Sequence, residues 1–278
     1  MSIRPTIAGV VLTLNEQNDL DRSLTSLQWC DELLVLDSGS TDSTAAIAQQ
    51  HGARFLTRIQ DKPFLITEQR NWALEECGLT SDWVLFLDAD EEVSPALRDQ
   101  IQSQISQQNI TNAYELTPRY WFLGKWLKRT QGFPNWHPRL LRRGATRFVG
   151  GVWESFAPST NVSRISIPYE HYGFSKGLDD WIDRHQRYSS WDASQIHSFL
   201  HSPNKNTYQH TRFHVIRQTS SSLWPLRPFA RFFHKYVING GFLEGWQALL
   251  YCLLISIYDF FTIVKYIELK RKARGLPL

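Results

Sequence analysis

Short apolar runs alternate with helical periodicity through residues 1–90, and nearly every run closes on a polar cluster. Residues 7–14 (IAGVVLTL) predict a buried strand. Leu20, Leu24 and Leu27 then recur at helical spacing. Residues 33–36 (LLVL) predict a second strand, ending at the turn cluster Asp37-Ser38-Gly39-Ser40. Thr41, Asp42 and Ser43 offer N-caps for a helix over 44–51. A strand over 54–57 and a helix over 67–76 follow, then residues 83–87 (WVLFL), a fourth strand that ends at Asp88-Ala89-Asp90. Strands alternating with helices imply βαβ units, hence an α/β fold with a mainly parallel central sheet flanked by helices. In such sheets ligands bind beyond the carboxyl ends of the strands. Asn15-Glu16, Asp37-Ser38-Gly39 and Asp88-Ala89-Asp90 all fall at those ends.

After about Ile110 tryptophans and arginines become dense, and seven of the nine histidines lie between His171 and His234. This part reads as an irregular second layer that closes over the sheet, followed by a helical end. A chain of 278 residues that is 42% hydrophobic and 21% charged can bury a core, which excludes disordered, collagen-like and disulfide-scaffold classes. Cys30, Cys77 and Cys252 are too few and too far apart for a disulfide framework or a CxxC zinc site. That suits a reducing compartment, and the N-terminal segment lacks the pattern of a signal peptide, so a cytoplasmic location is expected.

Asp88-Ala89-Asp90 directly follows an apolar strand. Alternate residues of an extended end share a side, so both carboxylates can face one site. Hard oxygen donors suit Mg²⁺ or Mn²⁺, whose open positions diphosphate oxygens can fill. The alternative is a turn with solvated acids. Neither a G-x-G-x-x-G fingerprint nor a P-loop is present, nor H-E-x-x-H.

The segments VVLTLNE (10–16), LVLDSGSTDST (34–44), EQRNWAL (68–74) and DWVLFLDADEEV (82–93) resemble those of the family 2 glycosyltransferases with the GT-A fold. Within that family they are most similar to small bacterial enzymes like the lipopolysaccharide-core β-1,4-glucosyltransferases. The resemblance continues less tightly through NWHPRLLRRGATRFVGGVWES (135–155), except that Trp153 stands where related enzymes carry a histidine before the glutamate.

The resemblance implies roles. Thr13, Leu14, Asn15 and Glu16 would line a nucleotide pocket, with Glu16 near the ribose hydroxyls. Asp37 would accept from the base N–H, while Ser38 and Gly39 let the backbone come close. Arg70 would meet the diphosphate, oriented by Asn71. Asp88, with Ala89 beside it, would touch the ribose and the metal shell, and Asp90 would ligate Mn²⁺ or Mg²⁺ directly. Glu154, after Gly150-Gly151, is the candidate general base, and one base opposite the leaving group implies inversion. Each residue has a plainer alternative: Asp37 and Asp42 as caps, Arg70 as a surface ion pair, Asn15 as a turn former, Glu154 as a salt bridge to Arg147 or Arg142. Of Glu91 and Glu92, one is expected to be a helix-start charge. Arg139, Arg142, Arg143 and Arg147 read as a phosphate-binding cluster or a solvated basic face. His137 and His171 are possible extra metal ligands, or structural. Trp121, Trp126, Trp136 and Trp153 are candidates to stack on sugar rings, or core residues.

Residues 1–199 hold 19 Lys and Arg against 24 Asp and Glu, whereas residues 200–278 hold 11 against 3. In that basic end, Trp246, Leu249, Leu250, Leu253, Leu254, Ile257, Phe260, Phe261 and Val264 recur as one apolar helical stripe. The run 248–258 is short for a spanning helix, and Lys265, Lys270, Arg271, Lys272 and Arg274 follow it. A helix lying in an anionic membrane interface is expected, with a homo-oligomer contact and a core helix as alternatives. No nucleic-acid reading motif accompanies the basic end. The expected organisation is a GT-A domain over 1–200 (a nucleotide-sugar half over 1–110 and an acceptor half over 111–200) and a basic helical region over 201–278. Since a Q-x-x-R-W motif is absent (Gln186-Arg187-Tyr188 does not match it), one hexose is expected to move, from a UDP-sugar to a membrane-associated glycan or lipid-linked acceptor, at the inner face of the cell membrane. The alternatives are transfer to polyprenyl phosphate and a non-catalytic nucleotide-sugar-binding scaffold.

Overall fold

The computed structural model describes residues 4–61, 64–107, 110–150, 154–201 and 224–278. The chain forms two compact units, Met1–Trp121 with Phe133–Ser175, and Phe122–Gly132 with Lys176–Leu278. Residues 176–200, assigned to the first domain in the sequence reading, thus group with the second unit.

In the first unit, strands β1 (Ile7–Thr13), β2 (Glu32–Asp37), β3 (Arg54–Thr57) and β4 (Trp83–Asp88) form the expected parallel half-sheet, linked by α1 (Leu20–Ser26), α2 (Thr44–Gln50) and α3 (Ile66–Glu76). All seven residues of β1 are buried, as a central parallel strand covered on both faces requires. The period of two divides the core. Val11, Val35, Leu85 and Leu87 pack under α1 and α4 (Pro95–Ser106), while Val10, Leu12, Leu36 and Phe86 pack with Ala73 and Cys77 at the end of α3.

The sheet does not stop there. Among the described residues it has nine strands, in the order β3-β2-β1-β4-β8-β6-β11-β5 with β7 (Lys125–Trp126) on β6. The added strands are β5 (Glu91–Glu92), β6 (Ala113–Phe122), β8 (His137–Arg142) and β11 (Val162–His171), and a hairpin of β9 (Phe148–Gly150) and β10 (Glu154–Phe156) stands apart. The irregular layer expected after Ile110 is therefore corrected to a continuation of the same sheet. Its strands are interrupted by Pro118, Pro138 and Pro168 and carry charges, which weakens their apolar signal. β8 is antiparallel to both β4 and β6, and β11 is parallel to β6. Two reversals restore the direction, so β1, β2, β4, β6 and β11 end at one edge.

In the second unit, α5 (Gly177–His201) and a terminal helix, Trp246–Ala273, pack together. The buried Glu244 carboxylate accepts from the backbone N–H groups of Arg129 and Thr130 at 2.7 and 2.8 Å, tying the 122–132 segment to this unit. Asp259, fully buried, pairs with Arg231 at 2.7 Å and Arg227 at 3.3 Å, so it does not interrupt the terminal helix. That helix runs 28 residues and is long and apolar enough to cross a membrane by length and composition alone. Its buried face is Ala248, Cys252, Ile255, Asp259, Thr262 and Tyr266, whereas Trp246, Leu250, Leu253, Ile257, Phe260 and Val264 are exposed. One face of the helix is thus a core face, while six of the nine residues of the apolar stripe are exposed.

Candidate active site

The first two strand ends form one interlaced loop cradle. Asp37 is buried, and its carboxylate accepts from the Thr13 hydroxyl (2.8 Å), the Gly39 and Ser40 backbone N–H groups (2.8 and 2.7 Å) and the Ser40 hydroxyl. Four donors fill a carboxylate's acceptor positions. Asp37 is thus a loop anchor, and a base N–H would have to displace one of these protein donors. Asn15 adopts φ 56°, a left-handed conformation that asparagine tolerates, and its side-chain oxygen accepts from Thr41 N at 2.9 Å. Its own N–H donates to Ser40 Oγ at 2.7 Å, and Glu16 N–H to Thr44 Oγ1 at 2.9 Å. Asp42 accepts from the backbone of Gln17 and Thr44. Leu14 is exposed beside this cradle, and Ser38 N–H bonds Thr13 O at 2.9 Å.

At the end of β4 the charges converge. Arg70, on α3, is 1% exposed, which rules out the surface ion pair. It donates to Asp88 Oδ1 at 3.1 Å and to Glu154 Oε1. Its guanidinium lies near the rings of Phe86 and Phe148, 5.8 and 5.4 Å away. Arg139, also buried, donates to Glu154 Oε1 (3.0 Å), Asp88 Oδ2 (3.2 Å) and Glu91 Oε1 (2.7 Å). Glu154 therefore pairs with Arg70 and Arg139, not with Arg147 or Arg142. Its second oxygen, Oε2, is buried with no hydrogen-bond partner among the described residues. Burial pushes the Asp88 carboxyl up, but Arg139 and Arg70 together hold it below the usual carboxylate range.

The expectation that one of Glu91 and Glu92 starts a helix is corrected. Ser94 caps α4, accepting from Leu97 N–H at 3.2 Å, and both glutamates belong to β5. Glu91 is fully buried and accepts from Asp88 N–H at 3.0 Å as well as from Arg139. Burial drives its pKa up despite Arg139. Asn71 also differs from expectation. It exchanges two 2.9 Å bonds with the backbone of Phe148 and so docks β9 on α3, rather than orienting Arg70. The arginine cluster disperses: Arg142 and Arg147 are exposed, and Arg143 donates to the carbonyls of Ser81 and Thr80 at 2.8 and 3.0 Å. Trp153 lies outside the described residues. Trp126 and Trp136 are half-buried beneath the cations of Lys128 and Arg164.

β11 delivers His171 to this edge. Its Nε2 lies 3.6 Å from Asp90 Oδ2, and its Nδ1 3.4 Å from Glu91 Oε1. Burial lowers its pKa, but Asp90, Glu91 and Asp88 outweigh burial and hold it above the ordinary histidine value. A Cβ on Gly173 would meet His171 Nε2 at 2.9 Å, so glycine there makes room for the imidazole. His137, by contrast, bonds Asn135 Nδ2 at 3.0 Å, and burial and Arg139 lower its pKa to about 3.

The donor set fits a divalent cation. Asp90 Oδ2 and His171 Nε2, 3.6 Å apart, lie within the ~4.2 Å that two donors about 2.1 Å from one ion can span. Asp88, Asp90, Glu91 and Glu154 gather four carboxyl groups around two guanidiniums and the His171 imidazole, so hard oxygen donors are the commonest groups at this edge. Among the described residues no three His, Cys, Asp or Glu side chains form a cage by themselves. Two protein ligands plus phosphate and water oxygens is the usual arrangement for Mg²⁺ at a phosphate site. Sequence reasoning missed Glu91 and left Arg139 and His171 among alternatives. The period-two run Ile165, Ile167, Tyr169, ending at His171, was the signal that a strand carries that histidine to the edge.

A mainly parallel sheet flanked by helices, with an acidic, arginine-braced edge at its strand ends, is the arrangement of a GT-A fold. The chain belongs to glycosyl transferase family 2, whose family model matches residues 10–157. It is 25% identical over 263 residues to the lipopolysaccharide core biosynthesis glycosyltransferase LpsC of Rhizobium meliloti, covering 93% of this chain and 91% of that one. It is 36% identical over 285 residues to a glycosyltransferase of Rickettsia prowazekii, RP128, covering 97% and 89%. Among solved structures, the mannosyltransferase PcManGT of Pyrobaculum calidifontis, in complex with GDP-Man and Mn²⁺, is similar over 96% of this chain and 88% of that one, with 15% identity and a TM-score of 0.49. Glucosyl-3-phosphoglycerate synthase of Mycobacterium tuberculosis is similar over 69% and 79%, with 17% identity and a TM-score of 0.49.

Proposed function

We propose that this glycosyltransferase moves a single hexose from a UDP-sugar to a hydroxyl of a membrane-associated glycan or lipid-linked acceptor, with inversion at the anomeric carbon. One observation carries the reading: Glu154 has one oxygen gripped by two buried arginines and the other buried with no partner among the described residues. A buried, unsatisfied carboxylate oxygen is costly, and an acceptor hydroxyl that donates to it relieves that cost. Glu154 Oε2 takes the acceptor proton, and the two arginines fix the direction from which the hydroxyl approaches. A base so placed contributes ~10²–10⁴-fold. Attack from the side opposite the leaving group inverts the anomeric centre.

Thr13, Leu14, Asn15, Glu16, Ser38 and Gly39 border the nucleotide, with Asp37 holding their loops in register. Arg70 offers the diphosphate a charge-assisted bond from a guanidinium that the fold already orients. Asp90 and His171 would hold Mn²⁺ or Mg²⁺, with Asp88 and Ala89 beside them. When bound, the cation neutralises charge on the departing diphosphate. An imidazole in the set favours Mn²⁺.

The membrane side of the reading rests on the second unit. Phe229, Phe233, Phe242, Leu243 and Trp246 are exposed together with the outward stripe of the terminal helix, and Lys270, Arg271, Lys272 and Arg274 close that helix. Aromatics, an apolar stripe and clustered cations suit an anionic bilayer interface. The name of the Rhizobium relative, an enzyme of lipopolysaccharide core biosynthesis, supports an acceptor of that kind.

Radiolabelled UDP-hexoses incubated with the protein, Mn²⁺ and bacterial membrane vesicles test the reading. Label should enter the glycolipid fraction. Glu154→Gln should retain UDP binding and transfer ~10²–10⁴-fold more slowly. Wild-type transfer by that variant would take the base role away from Glu154. UDP binding without transfer by the parent protein would favour a scaffold.

A further inference from the structure

A second constellation borders the same edge and has no part in the chemistry above. Trp121 ends the visible run of β6 in the first unit, and Tyr172 follows β11 directly. Their rings lie parallel, 9° apart in plane with centroids separated by 6.4 Å. Both side chains are partly exposed, yet both are pinned. Trp121 Nε1 donates to Glu170 Oε2 at 2.6 Å, and Glu170 is in turn paired with Arg119 at 3.1 Å. The Tyr172 hydroxyl donates to Glu92 Oε2 at 3.3 Å. The Arg22 guanidinium covers the Tyr172 ring at 3.9 Å and is braced by Asp19 at 2.6 Å, which itself accepts from Ser175 Oγ.

Locking large aromatic rings at a partly wet surface costs side-chain freedom and leaves apolar area in water. A ligand that stacks on those rings recovers both. The placement says which ligand. Tyr172 N–H donates to Asp90 O at 2.9 Å, so the ring lies next to the residue pair that holds the cation. The nucleotide cradle lies at β1 and β2, across β4 and β8 from β6 and β11 in the strand order. The aromatic pair is therefore on the acceptor side. Its charges are Arg22 and Arg119 against Asp19, Glu92 and Glu170, a local excess of negative charge that disfavours an anionic ligand.

We propose that Trp121 and Tyr172 form the acceptor subsite, and that it takes an uncharged pyranose ring. The apolar C–H face of the sugar stacks on the indole, and its hydroxyls bond Glu92, Glu170 and Arg22. The inference rests on the glycosyl-transfer reading for its placement, but it makes a separate demand: a sugar must bind here without being a donor.

Protein labelled with 5-fluorotryptophan provides the readout, with the Trp121 resonance assigned by its disappearance in Trp121→Phe. Methyl β-D-glucopyranoside and methyl α-D-mannopyranoside are titrated in the presence of UDP and Mg²⁺. The Trp121 resonance should shift saturably with a pyranoside and stay still with glycerol or inorganic phosphate. Trp121→Ala should raise the acceptor KM by about tenfold, the worth of one aromatic stack, with Trp121→Phe recovering most of it. UDP-induced stabilisation with no Trp121 shift for any pyranoside would overturn the subsite and leave the transfer reading intact. A larger response to a uronic acid or sugar phosphate than to the neutral sugars would overturn its charge preference. A Trp121 shift without any UDP response would keep the subsite and remove the donor reading.

Discussion

Arg139 shows how much a single residue holds at this edge. It is the shared partner of Asp88, Glu91 and Glu154, which come from three different strands. Glu91 is fully buried, so deleting Arg139 strands a carboxylate that water cannot reach. Arg139→Ala should destabilise the protein by about 3–5 kcal/mol, read as a fall in the urea midpoint. Arg139→Lys should recover little, because one ammonium cannot reproduce the three-way fork. If Arg139→Ala unfolds at the parent midpoint, the lattice is not what holds these strands together. The sequence made Arg139 one of four similar arginines. Only the fold separates it from Arg142, which stands exposed three residues later with its guanidinium 5.1 Å from the Trp83 ring.

At the scale of elements, β1 and β4 are tied at their starts as well as along their length. Asp82 accepts from the Thr6 backbone N–H (2.8 Å) and hydroxyl (3.0 Å). Those bonds, the backbone one first, hold the Asp82 carboxyl below its ordinary pKa. A depressed native pKa means the tie contributes fully above about pH 4 and is lost as pH falls through the native value. Asp82→Asn should cost about 1 kcal/mol at neutral pH, since solvent screens this exposed group, and the gap to the parent should close on acidification. A gap that widens in acid would reverse the assignment. The parallel half-sheet was legible because short apolar runs bounded by turn residues are strong local signals, as in 7–14 and 83–87. β6, β8 and β11 were not, since prolines and charges blur their alternation and their pairing joins residues as distant as Ala113 and Val162. Glu91 was misread for a related reason: next to Ser94-Pro95 it looks like a helix start, and only its register opposite His171 shows a strand.

For the whole molecule, the sequence identified the apolar stripe of the terminal helix but not which way it faces. Orientation depends on Asp259, Thr262 and Tyr266 being drawn inward, and the Asp259 pairs with Arg227 and Arg231 decide that. The outward stripe gives the second unit its own prediction. The double variant Leu253→Glu, Phe260→Glu should lose sedimentation with phosphatidylglycerol-containing vesicles while keeping its thermal midpoint. Undiminished vesicle binding would move the anchor elsewhere, and a change from dimer to monomer would make the stripe a subunit contact. The cradle, the arginine lattice and the Asp90–His171 pair together make a stronger claim: nucleotide affinity depends on a cation held by those two side chains. Calorimetric titration of UDP into the parent protein and Asp90→Ala, each with Mn²⁺ and with chelator, measures this directly. The parent should bind UDP at least about tenfold more tightly with Mn²⁺, and Asp90→Ala should lose that gain. An equal gain from Mn²⁺ in both proteins would contradict the account.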